Sequence, residues 1–127
     1  MPAKYVLITN LSHPQTRPIT ARRCQSFICR LRGLMFTRSM QADSGLLLVQ
    51  SRENRLDAAI HTLFMSMDLA VIWINNNEEV VDICLAARWR PAYIPKQPAR
   101  YVLETRPDRL PDFNIGDKVS IHEAWVD

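Results

Sequence analysis

The longest nearly unbroken apolar passage of the chain runs from Ala59 to Asn75. Its only charged side chain is Asp68, and His61 is its only other titratable group. The second half, Leu69 to Ile74, is apolar at every position. An extended strand of that composition must be covered on both faces, which places it in the middle of a core. Asn75-Asn76-Asn77 then punctuates the chain. Glu79 to Leu85 follows, where Val81, Ile83 and Leu85 alternate with Val80, Asp82 and Cys84. That pattern predicts a half-buried strand paired back across the asparagine turn, because Asn tolerates the left-handed backbone a tight turn needs.

The remaining segments supply short strands and irregular connections. Lys4 to Asn10, rich in Tyr, Val and Ile, reads as a strand. Leu11 to Thr20 contains His13-Pro14 and Arg17-Pro18 and reads as a loop. Ala21 to Arg32 reads as a helix capped by Thr20, with Cys24, Phe27, Ile28 and Leu31 on one buried face and Gly33 ending it. Leu46 to Val49 predicts a short buried strand, Ser51 to Asp57 a charged loop, and Ala59 to Met65 a further extended run. Three prolines in Ala86 to Pro98 predict a non-repetitive loop. Arg100 to Glu104 and Lys118 to His122 read as strands, with an irregular stretch or single helical turn at Pro107 to Asn114. The expected fold is therefore mainly β, a small sandwich or partly closed barrel with one short helix near the N-terminus.

A chain of 127 residues is one domain, 1–127, with room for a core. The start does not resemble a secretory signal and no apolar run is long enough to cross a bilayer, so a cytoplasmic protein without membrane contact is expected. The first 42 residues carry seven bases and no acid, whereas the remainder carries nine bases and thirteen acids. Such asymmetry can mark a surface for phosphate, or it can cancel on folding. Cys24, Cys29 and Cys84 are an odd count among apolar neighbours and read as buried thiols.

Few residues point to chemistry. His61 and Asp68 are weak catalytic candidates: they pair only if the chain folds back at Ser66-Met67. Thr62 faces the other way from His61 on an extended strand. Arg88, Trp89 and Arg90, with Tyr93 and Lys96 nearby, mix cations with aromatic rings, a composition that suits ligand or phosphate contact. Arg100 and Glu104 read as part of a surface charge cluster with Asp117. With three glycines in the chain there is no Gly-rich phosphate cradle. There is no Gly-x-Ser-x-Gly nucleophile elbow. The cysteine spacing does not suit zinc, so no metal or cofactor is expected.

Several segments together resemble a family known as domain of unknown function 192. They are Arg32-Gly33-Leu34-Met35, Gly45 to Leu48, Ile60-His61-Thr62-Leu63-Phe64-Met65, the strand–turn–strand from Val71 to Val81, Ala99 to Glu104, and Ile115 to Val119. The resemblance covers roughly Arg30 to His122 and implies a mainly β, barrel-like core with a short helix near its start. It implies no established activity. The family's Pro-aliphatic-Asp step is replaced here by Asp68-Leu69-Ala70, so an acid stands two residues earlier. The first functional expectation is a non-catalytic module that binds a protein or small molecule. The alternatives are a small hydrolase using His61 with Asp68, and nucleic-acid binding through the arginines.

Overall fold

The computed structural model describes residues 4–124. Seven strands form one sheet: β1 (Tyr5–Asn10), β2 (Ile19–Cys24), β3 (Ser44–Asn54), β4 (Leu69–Ile74), β5 (Val80–Ala86), β6 (Ala99–Thr105) and β7 (Val119–Ala124). A six-residue helix, α1 (Phe27–Arg32), follows β2, and a 3-10 turn spans Pro107–Asp112. Strand order is β5-β4-β6-β3-β2-β1-β7. Only β2 and β3 run parallel; the other neighbours are antiparallel. The sheet is not closed into a barrel. It curls until its edges meet at one end, where Glu79 bridges Lys118 and the Val80 N–H donates to the Asp117 carbonyl at 2.9 Å.

β4 occupies the position its composition demands. All six residues are buried. Ala70, Ile72 and Ile74 join one apolar cluster with Val6, Ile8, Leu47 and Leu103. Leu69, Val71 and Trp73 join a second, on the opposite face, with Leu46, Leu48, Met65 and Val102. The alternation of a strand therefore serves two cores, and β5 and β6 satisfy its two edges. Trp73 is 1% exposed, and its indole N–H donates to the Ala58 carbonyl at 2.8 Å. Gly45 lets β3 approach β6: a Cβ there would stand 2.9 Å from the Glu104 carbonyl oxygen.

Five expectations are corrected. Ile19–Cys24 is a strand, and only Phe27–Arg32 is helical. Ile19 and Ala21 are fully buried between β1 and β3, and cross-strand burial outweighs the helical spacing of the same stretch. The N-cap is Ser26 rather than Thr20, its Oγ accepting the Cys29 N–H at 3.1 Å. Ala59 to Met65 is not a strand. It is an irregular segment with a single bridge, Ile60 to Tyr93. The charged stretch from Ser51 begins as strand, since β3 runs to Asn54. Finally, Cys24 and Cys29 are not separate thiols but a disulfide, with Cα atoms 5.6 Å apart. Cys24 ends β2 and Cys29 lies in α1, so the change from strand to helix between them brings the two sulfurs together. Cys84 is the free cysteine, its thiol pushed up to about 11 by burial and by Asp82.

Candidate functional site

The alternation of β6 sends Tyr101 and Leu103 toward one cluster and Val102 toward the other. Glu104 shares the face of Val102. It is registered between Leu46 of β3 and Val71 of β4, so the strands themselves carry a carboxyl into an apolar layer. Glu104 is 2% exposed, and its Oε1 has no hydrogen-bond partner. Burial pushes this carboxyl up to about 8, because the charged form loses its hydration there. The surface cluster expected for Arg100, Glu104 and Asp117 is therefore not formed. Arg100 leans over the Tyr101 ring and donates to the Gln50 carbonyl, while Asp117 is buried against Asn10.

Over this carboxyl lies α1. Its last turn ends at Gly33, whose φ of 50° is left-handed and whose N–H donates to the Cys29 carbonyl at 2.8 Å. A Cβ on Gly33 would stand 3.5 Å from Glu104 Oε1. Arg30 reaches the side chain of buried Gln50 with one terminal nitrogen, while its Nε is buried without a partner. Arg30, Leu31, Gly33, Leu34, Leu48, Gln50, Ile60, His61, Met65 and Glu104 are among the residues lining a cleft of about 150 Å³. Its walls are largely apolar, and the polar groups converge from α1, β3 and β6.

His61 closes one side of the cleft. Its Nδ1 accepts the Leu63 N–H at 3.1 Å, which leaves Nε2 to donate to the Leu31 carbonyl at 2.8 Å. Both ring nitrogens thus fasten the segment around residue 61 to the end of α1. Asp68 is held elsewhere. The backbone N–H of Arg88, with help from its guanidinium, keeps the Asp68 carboxyl below the usual carboxylate range, at 3.0 and 3.1 Å. The structure records no hydrogen bond between His61 and Asp68.

The loop containing Arg88, Trp89, Arg90 and Tyr93 braces the same segment. Thr62 is fully buried; its hydroxyl donates to the Ala87 carbonyl at 2.6 Å and accepts the Arg90 N–H at 2.8 Å. Ile60 and Tyr93 exchange backbone bonds of 3.0 and 2.8 Å, and the Tyr93 hydroxyl accepts the Ala87 N–H at 2.8 Å. These contacts set the position of Ile60 and His61 on the cleft wall. Trp89 is exposed and continues an aromatic row, 5.1 Å from Phe64, which is 5.7 Å from Phe36. All three residues have positive φ, between 61° and 64°. Among the described residues no group of three or more His, Cys, Asp or Glu is placed to hold a metal ion.

Sequence reasoning singled out His61 but missed Arg30, Gln50 and Glu104 as cleft residues. No signal in the sequence marked Glu104, because its apolar neighbours Leu46 and Val71 are set by strand register.

A single curled sheet with a short helix roofing a cleft on one face defines a small, mainly β protein. The chain belongs to the DUF192 family of uncharacterised proteins, whose model, "Uncharacterized ACR", matches residues 8–121. A UPF0127 protein of Thermococcus gammatolerans is 47% identical over 79 residues, which are 62% of this chain and 50% of that one. The chain thus spans about half the length of that relative. A UPF0127 protein of Pyrococcus furiosus is 41% identical over 86 residues, 68% of this chain and 71% of that one. A crystal structure from Sinorhizobium meliloti 1021 matches with a TM-score of 0.80 at 22% identity, covering 94% of this chain and 95% of that one. At that identity the likeness establishes the fold alone. No helix is long and apolar enough to cross a membrane among the described residues.

Proposed function

We propose that this chain is a non-catalytic binding module whose cleft beneath α1 takes a small polar ligand. One observation carries the reading. Three buried side-chain polar atoms lack a hydrogen-bond partner among the described residues, and two of them, Arg30 Nε and Glu104 Oε1, belong to residues that line this one cleft. Leaving such an atom unpaired costs about 1–3 kcal/mol, so folded proteins rarely keep one without use. A pocket with apolar walls and a few convergent polar groups is the usual form of a small-molecule site.

Thr62, Arg88, Trp89, Arg90 and Tyr93 enter this reading as the loop that braces the cleft wall. A hydrolytic role for His61 with Asp68 is not carried forward. Both His61 nitrogens are engaged by backbone, and Asp68 is engaged by Arg88. The test is a titration of isotope-labelled protein with a panel of small amines, alcohols, amino acids and carboxylic acids, followed by amide shifts. At least one probe is expected to move the amides of Gly33, His61 and Glu104 together, and to lose that effect in Glu104→Gln. A panel that moves none of them at millimolar concentration would remove the proposal.

A further inference from the structure

Arg32, Gln50, Asp57 and His61 also line the cleft, but its two unpartnered polar atoms belong to side chains of opposite kind, and its apolar walls bear on the rest of the ligand. Glu104 offers a carboxyl oxygen that no described residue uses, and Arg30 offers a guanidinium N–H that no described residue uses. The two do not pair with each other: no Arg30–Glu104 contact lies within salt-bridge distance. Leu34, Leu48, Ile60 and Met65 line the same cleft. A cavity of about this volume lined by apolar side chains accommodates a molecule of roughly the size of benzene. Resting on the reading of the cleft as a ligand site, we propose that it takes a small α-amino acid with an apolar side chain. The ammonium group would pair with Glu104, the carboxylate with Arg30, and the side chain would lie against the aliphatic wall.

Each part of that assignment uses a group otherwise left idle. A carboxylate prefers the planar donors of a guanidinium, and an ammonium gains most from an acceptor removed from water. Gly33 keeps the approach to Glu104 Oε1 free of a side chain. The pairing also has a proton consequence. The buried carboxyl, pushed up to about 8, holds its proton at neutral pH; an arriving ammonium favours the ionised form and expels that proton to solvent.

The experiment is isothermal titration calorimetry near neutral pH in phosphate and in Tris, whose ionisation enthalpies differ. The probes are L-valine, isobutylamine and 3-methylbutanoate, which are the amino acid and the molecules lacking its carboxylate or its ammonium. L-Valine should bind more tightly than either fragment, with release of up to about one proton per chain. Glu104→Gln, which keeps the shape of the side chain, should weaken L-valine about tenfold or more and abolish proton release. Arg30→Gln should weaken L-valine and 3-methylbutanoate but leave isobutylamine unchanged. L-Valine binding no tighter than its fragments, or indifferent to both substitutions, would overturn the assignment. If the fragments or other small molecules move the cleft amides while L-valine does not, the amino-acid class fails and the ligand site stands. If nothing moves them, both fail together.

Discussion

Strand β4 and helix α1 are both six residues long; β4 is apolar throughout, and α1 carries apolar residues at helical spacing beside Arg30 and Arg32. β4 buries all of its residues, while α1 buries none. Phe27, Ile28 and Leu31, spaced as the inner face of a helix, are 68%, 69% and 52% exposed. The difference lies in what covers them. β4 has a hydrogen-bonded neighbour on each edge and an apolar cluster on each face. α1 has only the mouth of a cleft beneath it, and six residues are too few for a helix to hold itself together in water. Its order rests on the Ser26 cap, the Cys24–Cys29 disulfide, the Leu31–His61 bond and the contact of Arg30 with Gln50. The sheet carries the stability of the molecule; the segment that the sheet leaves uncovered carries the candidate site.

The largest effect that separates the two regions should come from Trp73→Ala. It removes a ring buried in the second cluster and strands the Ala58 carbonyl. A loss of roughly 3–5 kcal/mol is expected from equilibrium urea denaturation. A loss below about 1 kcal/mol would mean that β4 is not the centre of the core.

Glu104 lies where the two regions meet, in the sheet but beneath the helix, and its effect should depend on pH. Its carboxyl rises from an ordinary 4.5 to about 8 on folding. Between those values the folded chain holds a proton that the unfolded chain has released. Stability should therefore fall as pH rises through that window and level off above it. Glu104→Gln carries no such proton. Its unfolding free energy from urea denaturation should lack this slope, and it should exceed that of the unsubstituted protein by roughly a few kcal/mol at the alkaline end. Parallel pH curves for the two proteins would show that Glu104 is solvated and that the cleft is wet to its floor.

The same comparison explains what could be read in advance. The doubly covered strand was legible because six consecutive apolar residues ending in an asparagine turn have few other solutions. The β5 hairpin, β6 and the 3-10 turn after Pro107 follow from alternation and proline placement. The stretch from Ala21 to Arg32 misled because its spacing suits a helix, while its first four residues continue a strand that begins at Ile19, in what reads as a loop. The choice between them is made by β1 and β3, which lie distant in sequence. The disulfide was hidden by the same error, since Cys24 and Cys29 meet only if the chain changes from strand to helix between them. Glu104 was hidden for a different reason. A carboxylate is assumed to face water, and only the register with Leu46 and Val71 shows that this one cannot.

If α1 is held by a few ties rather than by burial, cutting one should loosen it without unfolding the sheet. Cys29→Ser removes the disulfide, which closes a very short loop, so the global loss should be small, roughly 2 kcal/mol. The local effect should be disproportionate. The amides of Arg30 and Gly33, bonded to the Ser26 and Cys29 carbonyls, should exchange with solvent deuterium far faster, while those of β4 should quicken by no more than the global change in stability. Reduction of the unsubstituted protein should reproduce the same pattern. Equal acceleration of α1 and β4 would show that the helix opens only when the whole sheet does, and that burial rather than the covalent tie sets its stability. Unchanged exchange at Arg30 and Gly33 would show that the Ser26 cap and the Leu31–His61 bond are sufficient, and that the contrast between the two regions is one of exposure alone.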